Sequence, residues 1–115
     1  MSDSCLFCKI VLGEIPATFV YQDEFVVAFE DINPAAPTHI LVIPRQHIST
    51  LNDLEAKHDA TVGRMTRVAA SIAKERGIAE GGFRTVFNCN EDGGQSVYHI
   101  HQHLLGGRSM SWPPG

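Results

Sequence analysis

The sequence predicts an α+β domain in which a mainly antiparallel, five-stranded sheet carries one long helix and one short N-terminal helix. Short runs rich in β-branched and aromatic residues are separated by hairpin and turn signals, which is typical of antiparallel strands. One longer stretch places apolar residues three and four positions apart, as an amphipathic helix does. The regular alternation of strands and helices that a parallel sheet needs is absent. With 115 residues the chain has the length of a single domain, which we predict to span residues 1–115.

The first half of the sequence contains the short helix and three strands. Residues 5–12 form an apolar stretch that closes at a glycine, a residue that commonly ends helices. Residues 19–21 and 25–29 are the two arms of a predicted hairpin. Residues 38–43 are the third strand, and we expect Pro44 to end it because proline has no N–H for the ladder.

The second half contains the long helix and the last two strands. Apolar side chains recur at helical spacing between residues 59 and 76, and Gly77 follows as the predicted C-terminal cap. Strands are predicted for residues 83–88 and 99–105, with a loop over residues 90–96 between them. The order of elements is therefore strands, helix, strands.

Composition and charge exclude several classes of protein. The chain has 9 Lys+Arg against 13 Asp+Glu, a net charge of −4, so we expect no general attraction to nucleic acid. The sequence contains no apolar run of the roughly 18 residues that a membrane helix needs. It also has no visible secretory signal, so we expect a cytoplasmic protein without a membrane partner. Three cysteines are an odd number and too few for a disulfide framework.

Three histidines alternate with other residues in the last predicted strand. His99, His101 and His103 then share one face, spaced roughly 7 Å apart, while Ile100 and Leu104 point to the core. Imidazoles titrate near neutrality, so such a row can supply a neutral nucleophile and a proton donor for phosphoryl or acyl transfer. The alternative interpretations are a metal-binding strand and a set of surface histidines.

A glycine-rich loop precedes the histidines. Residues 92–96 have the sequence DGGQS, in which the glycines let backbone N–H groups approach an anion and Ser96 adds a hydroxyl donor. Asn88 on the preceding strand is a further candidate polar contact. The loop is therefore a candidate oxyanion cradle, and the alternative is a simple turn.

Four segments together resemble the histidine triad superfamily, in its Hint branch of histidine triad nucleotide-binding proteins. They are residues 99–105 (HIHQHLL), the preceding GGQSVY, residues 37–44 (PTHILVIP) and the C-terminal WPPG. The resemblance covers nearly the whole chain. It implies the histidine triad fold and a homodimer in which two sheets join. It also implies a purine mononucleotide pocket and hydrolysis of nucleoside 5′-phosphoramidates through a nucleotidyl-histidine intermediate, without a catalytic metal.

The resemblance also assigns roles residue by residue. His101 matches the nucleophile, His103 the histidine that contacts the phosphate and helps protonate the amine, and His99 the histidine that orients the nucleophile. His47 matches a histidine linked to His99. Asp31 matches the carboxylate that accepts the two ribose hydroxyls, a pairing that a bidentate acceptor suits. The remaining nucleotide contacts fall on three polar residues, Asn88, Gln95 and Ser96, on Val97 beside them, and on an apolar base pocket, Phe7, Ile10, Phe29, Ile32 and Leu41.

Two positions depart from the family pattern. Gln102 stands where an apolar residue is usual, and we expect it to face away from the histidines. Glu30 stands where relatives often carry another polar group, and we expect it to affect base or ribose selectivity. Two further histidines lie outside the row. His39 is interpreted either as a support for the site or as a satisfied core histidine, and His58 as a surface residue.

Cys5 and Cys8 form a C-x-x-C pair, which occurs in zinc sites, in redox pairs and among plain buried thiols. A tetrahedral zinc needs two more ligands, which the neighbouring sequence does not supply. Relatives with the same pair complete the set with histidines that match His47 and His99. The resemblance therefore implies a structural zinc, and two reduced thiols are the alternative.

Two other functions remain open at this stage. One is a nucleotide-binding sensor or scaffolding dimer with incidental hydrolysis. The other is a dinucleoside polyphosphate hydrolase, which the tryptophan-containing C-terminus disfavours. The resemblance implies that this C-terminus crosses a dimer interface and shapes the leaving-group side of the partner's pocket.

Overall fold

A central antiparallel sheet organises the chain. The computed structural model describes residues 4–115, with the strands in the order β1-β2-β3-β5-β4. The strands are β1 (Phe19–Gln22), β2 (Val26–Glu30), β3 (Thr38–Pro44), β4 (Phe83–Phe87) and β5 (Gln102–Gly106). The helices are α1 (Leu6–Val11), α2 (Asp59–Glu75) and the short α3 (Asn90–Gly93), and two 3₁₀ turns cover Leu51–Asp53 and Ala56–His58. The predicted α+β class and all five predicted strands are confirmed.

The last strand begins three residues later than the sequence predicted. The Ile100 N–H donates to the Ile48 carbonyl at 2.7 Å, in the segment that follows β3, so residues 99–101 lie outside the sheet ladder. Side chains still alternate along this segment. Ile100 and Leu104 are fully buried on one side, and His99 and His101 are buried on the other. The alternation was predicted correctly, whereas the strand boundary was wrong.

Two apolar clusters occupy the two faces of the sheet, because consecutive strand residues point to opposite sides. One cluster packs the sheet against α2 and includes Met65 and Ile72, each at most 1% exposed. The other packs α1 against the sheet through Phe7 and Ile10. Burying each such side chain contributes roughly 1.5–3 kcal/mol. The face covered by α1 also carries the histidines.

Polar contacts fix α2 on its sheet face. Gln102 is buried there, and its Oε1 accepts from the Thr66 hydroxyl at 3.2 Å, so it faces away from the histidines as predicted. The carboxylate of Glu30 binds Arg76 at the end of α2, at 2.6 Å, and the expected effect of Glu30 on selectivity stays a prediction. His58 is buried rather than exposed. Its Nδ1 accepts from the Glu55 N–H at 2.9 Å and caps the turn before α2.

The loop predicted over residues 90–96 contains a short helix instead, α3. Its C-terminal cap is Gly94, whose φ of +79° is a left-handed conformation that glycine adopts at low cost.

Among the described residues, no helix has both the length and the apolar character needed to cross a membrane.

Candidate active site and metal cluster

A cleft on the α1 side of the sheet brings most of the predicted nucleotide contacts together. Its volume is about 240 Å³. Its apolar lining includes four buried residues and the 92% exposed Ile32, and its polar lining consists of two carboxylates, Glu30 and Asp31, one hydroxyl and two imidazoles. The predicted residues that line it are Phe7, Ile10, Phe29, Asp31, Ile32, Leu41, Ser96, Val97, His101 and His103.

His101 is held in one tautomer. Its Nδ1 lies 2.9 Å from the His99 carbonyl oxygen, which only accepts, so Nδ1 carries the proton and Nε2 keeps the lone pair. Burial lowers the pKa of His101 below its ordinary value of 6.5. The ring of Phe7 packs edge-on against His101 with centroids 5.1 Å apart. His101 therefore presents a neutral imidazole with an unprotonated Nε2.

A chain of hydrogen bonds determines which ring nitrogen of His103 carries the proton. The Ala35 N–H donates to His39 Nδ1 at 2.9 Å, so the neutral His39 carries its proton on Nε2. His39 Nε2 lies 2.9 Å from His103 Nδ1 and 3.3 Å from Asp31 Oδ2. His103 Nδ1 consequently accepts, and His103 Nε2 is the N–H donor. The structure thus places His39 as a support of the site, the first of the two interpretations.

Burial sets the charge of His103. Burial is the largest cause that lowers the pKa of His103 to about 4, the neighbouring imidazoles of His101 and His39 contribute, and Asp31 opposes them. The group is therefore neutral at neutral pH. In the unliganded cleft it donates a hydrogen bond as an imidazole and not as an imidazolium.

Ser96 and Val97 line the cleft, but two of the predicted polar contacts, Gln95 and Asn88, do not. Gln95 is buried, and its amide donates to the Ser49 carbonyl at 2.7 Å while its Oε1 accepts from the Asn90 N–H at 2.9 Å. The Asn88 side chain donates to the Gly93 carbonyl at 2.6 Å. Both side chains hold the loop that carries Ser96, so they act on the cleft through that loop.

Four potential metal ligands lie close to one another, next to the segment that carries His101. The ligand atoms of Cys5, Cys8, His47 and His99 all lie within 4.8 Å of one another. The individual distances are 3.5 Å from His99 Nδ1 to Cys5 Sγ, 3.6 Å from His99 Nδ1 to Cys8 Sγ, and 3.3 Å from His47 Nδ1 to Cys8 Sγ. In a zinc tetrahedron with ordinary bond lengths, sulfur and nitrogen ligands are about 3.5 Å apart. The cluster therefore allows a zinc site.

The hydrogen bonds of His99 prepare it for this cluster. Its Nε2 lies 2.8 Å from the Pro44 carbonyl oxygen, so Nε2 carries the proton and Nδ1 offers its lone pair to the cysteines. Burial lowers the pKa of His99 to about 4, with smaller contributions from His47 and His101. His47 Nε2 contacts the Ser49 hydroxyl at 3.1 Å.

A second close group, Asp31, His39 and His103, does not have the donors that a metal needs. The Ala35 N–H occupies His39 Nδ1, which leaves the nitrogen that faces the other two residues protonated. This group is therefore a hydrogen-bonded relay.

Comparison with known proteins agrees with this geometry. The family described as scavenger mRNA decapping enzyme C-term binding matches residues 4–112. The chain is 56% identical over 110 residues to the purine nucleoside phosphoramidase of Escherichia coli K12, covering 96% of this chain and 92% of that protein. It is 53% identical over 112 residues to the 14 kDa zinc-binding protein of Zea mays, covering 96% and 87%.

Solved structures show the same fold. The HIT family hydrolase from Legionella pneumophila Philadelphia 1 has a TM-score of 0.96 at 54% identity, covering 97% of this chain and 100% of that one. The chain belongs to the histidine triad superfamily. A histidine triad nucleotide-binding protein from Candida albicans has a TM-score of 0.82 at 30% identity, covering 96% and 83%. The Hint branch that the sequence motifs indicated is confirmed.

The buried histidines make this histidine triad protein sensitive to acid. The pKa of His103 is about 4 in the folded protein against an ordinary 6.5, so the unfolded chain binds more protons between these values. Stability therefore falls as the pH drops through this range. Replacing the imidazole in His103→Gln should reduce the loss of unfolding free energy between about pH 7 and about pH 5 by about 2 kcal/mol. Urea unfolding at both pH values measures the difference.

Cys89→Ser is the control, because it changes a residue outside the cleft and removes no imidazole. We expect its pH dependence to stay close to that of the wild type. An equal loss of stability in wild type and His103→Gln would contradict the neutral state of His103.

Proposed function

We propose that this protein hydrolyses purine nucleoside 5′-phosphoramidates to a nucleoside monophosphate, AMP or GMP, and an amine. The observation that carries the proposal is the pairing of two neutral imidazoles at the polar end of the cleft. His101 offers an unprotonated Nε2 and His103 offers an N–H. The identity to a purine nucleoside phosphoramidase supports the same reaction.

In the first step, His101 Nε2 attacks the α-phosphorus. A P–N bond forms to the imidazole, the P–N bond to the amine breaks, and the amine leaves with the electron pair and gains a proton. An anionic phosphate beside His103 favours its charged form, so His103 takes up a proton on substrate binding and delivers it to the amine. Ser96 donates its hydroxyl to a phosphate oxygen.

In the second step, a water molecule attacks the phosphorus and gives a proton to His103, which delivered its own proton to the amine in the first step. The bond from phosphorus to His101 Nε2 breaks, and the nucleoside monophosphate leaves. Asp31 accepts the ribose hydroxyls, as the resemblance implies, and the base lies against the apolar wall that Phe7 and Leu41 help to form. Burial keeps His101 neutral, so most of the protein is ready to react at neutral pH.

Adduct formation tests this reaction. Adenosine 5′-phosphoramidate should give AMP and, after a rapid quench compatible with phosphohistidine, a nucleotidyl adduct in intact-mass spectra of the wild type. His101→Ala should lose the adduct and at least ~10³-fold in turnover, because the nucleophile is gone. His58→Gln controls for the loss of a histidine elsewhere. Tight AMP binding without adduct or turnover would contradict the proposal and favour the sensor or scaffold.

We further propose that the Cys5, Cys8, His47 and His99 cluster holds a structural zinc and that catalysis itself uses no metal. The match between the observed ligand distances and a zinc tetrahedron supports this role. The identity to a zinc-binding protein agrees with it. The ion would tie the start of α1 to the segment that carries His99.

Metal content tests the zinc site. Protein purified without chelator should contain one zinc per chain, measured by atomic absorption. Cys8→Ser should lose the metal and unfold at lower temperature, because the ion would no longer hold α1, which carries Cys8 and begins after the N-cap Cys5, against His99. Cys89→Ser is the matched control, since Cys89 lies outside the cluster. Metal-free wild type, or equal zinc in both variants, would contradict the proposal.

The protein is proposed to form a homodimer through β4. This strand lies at one edge of the sheet and exposes a phenylalanine, Phe83, at 37%. Unprotected apolar edges pair readily with another strand. Arg84 binds the Ser111 carbonyl at 2.8 Å, so the C-terminal segment with the 81% exposed Trp112 runs beside the same edge. Two joined sheets would bring this segment to the partner's cleft.

Light scattering tests the dimer. Phe83→Asp should convert the dimer to monomer, because it would place a carboxylate from each chain in the joined edge. Phe19→Asp is the matched control, since Phe19 is 40% exposed at the start of β1, on the opposite edge. A monomeric wild type, or equal dissociation by both variants, would contradict the assignment of the interface.

A further inference from the structure

Gln95 is a buried residue beside the nucleotide cleft whose side chain binds only backbone groups. It is 8% exposed and makes three hydrogen bonds. Its Oε1 accepts from the Asn90 N–H at 2.9 Å, and its Nε2 donates to the Ser49 carbonyl at 2.7 Å and to the Val97 carbonyl at 3.1 Å. A flipped amide would place its oxygen against two carbonyl oxygens, so these partners fix one orientation.

These bonds hold the loop on both sides of Ser96. Gln95 bonds to Asn90 twice, since its own N–H also donates to the Asn90 carbonyl at 3.0 Å. Asn90 has a φ of +57°, a left-handed conformation that is uncommon for residues other than glycine, and the two bonds stabilise it. On the other side, the bond to the Val97 carbonyl spans Ser96. Ser96 is itself exposed and lies outside the helices and strands, so its neighbours determine where its hydroxyl lies.

The bond to Ser49 attaches this loop to the core. Ser49 follows Ile48, which is 4% exposed and whose carbonyl accepts from the Ile100 N–H at 2.7 Å. The segment that receives the Gln95 amide is therefore both packed and hydrogen-bonded. An exposed loop tied to such a segment keeps one geometry, whereas the same loop without the amide would sample several.

We infer that Gln95 is a positioning residue for phosphate binding and that it acts through Ser96. Ser96 lines the cleft together with His101 and His103, and in the proposed reaction its hydroxyl donates to a phosphate oxygen. The strength of that hydrogen bond depends on the position of the donor, so displacement of Ser96 weakens it. The inference rests on the proposed function. It gives Gln95 an indirect role in place of the direct nucleotide contact that the resemblance implies.

Ligand binding separates this role from a general structural one. Calorimetry measures the Kd of AMP, which has a phosphate, and the Kd of adenosine, which has none. Gln95→Met keeps the length and volume of the side chain and loses its three hydrogen bonds. It should weaken AMP binding about tenfold and leave adenosine binding unchanged, because only AMP offers Ser96 a phosphate. Equal weakening of both ligands, or of neither, overturns the inference.

A double-mutant cycle tests whether the effect passes through Ser96. Ser96→Ala removes the hydroxyl and should itself weaken AMP binding about tenfold. In the Ser96→Ala protein, Gln95→Met should then cause less than about a twofold further loss, because no hydroxyl is left to position. Two independent effects would multiply to about a hundredfold loss, and that result overturns the route through Ser96.

Gln102→Met is the matched control. Gln102 is also buried, at 4% exposed, but it bonds to Thr66 on the α2 face of the sheet. The same substitution there should leave the Kd of AMP and of adenosine at the wild-type values, and an equal loss of AMP affinity overturns the specific role of Gln95. Thermal unfolding verifies that each variant is folded. Gln95→Glu, which keeps an oxygen for the Asn90 N–H, replaces Gln95→Met in both comparisons if that variant does not fold.

Failure of the proposed function gives a different result. A wild type that does not bind AMP overturns both the reaction and the role of Gln95. A wild type that binds AMP without turning over adenosine 5′-phosphoramidate overturns the reaction alone, and the comparison of AMP with adenosine still decides on Gln95. A wild type that turns over the substrate, while Gln95→Met weakens both ligands equally, retains the reaction and loses only the positioning role.

Discussion

The site depends on the complete burial of His99 and on the three polar contacts that this residue makes. Its ring Nε2–H binds the end of β3 through the Pro44 carbonyl, its Nδ1 faces the two cysteines, and its own carbonyl holds His101, the proposed nucleophile. Removing any one of these contacts would free a polar group in a dry interior, at a cost of roughly 1–3 kcal/mol. The metal cluster and the catalytic face therefore share one structural element.

Burial and hydrogen bonding control two different properties of the imidazoles at this site, their charge and the position of their proton. Low polarity keeps the imidazoles uncharged, since desolvation is the largest cause of each lowered pKa. Partners that can only donate or only accept then decide which ring nitrogen carries the proton. The carbonyl of His99 leaves the nucleophilic nitrogen of His101 free, and the Ala35 N–H turns His39 into a donor toward His103. Identical side chains thus acquire different chemical roles.

The sequence predicted most of the fold because its strongest signals are local. Period-two alternation placed Ile100 and Leu104 in the core although the strand begins only at Gln102. A local sequence pattern could not predict the hydrogen bonds between segments that are far apart in the sequence. Gln95 binds the carbonyl of Ser49, 46 positions away, and Glu30 binds Arg76, also 46 positions away. His39 joins the relay for the same reason, since its partner His103 is 64 positions distant.

The alternation along residues 99–104 also affects which substitutions such a protein can accept during evolution. Chemistry occupies the odd positions and packing against α2 occupies the even ones, with Gln102 bonded to Thr66 on the packing side. A substitution at a position on the cleft side such as His103 therefore leaves the apolar contacts of its neighbours intact. New reactions can be explored on one face while the scaffold persists on the other. His99 is the exception, because it serves both, and it is the position least free to vary.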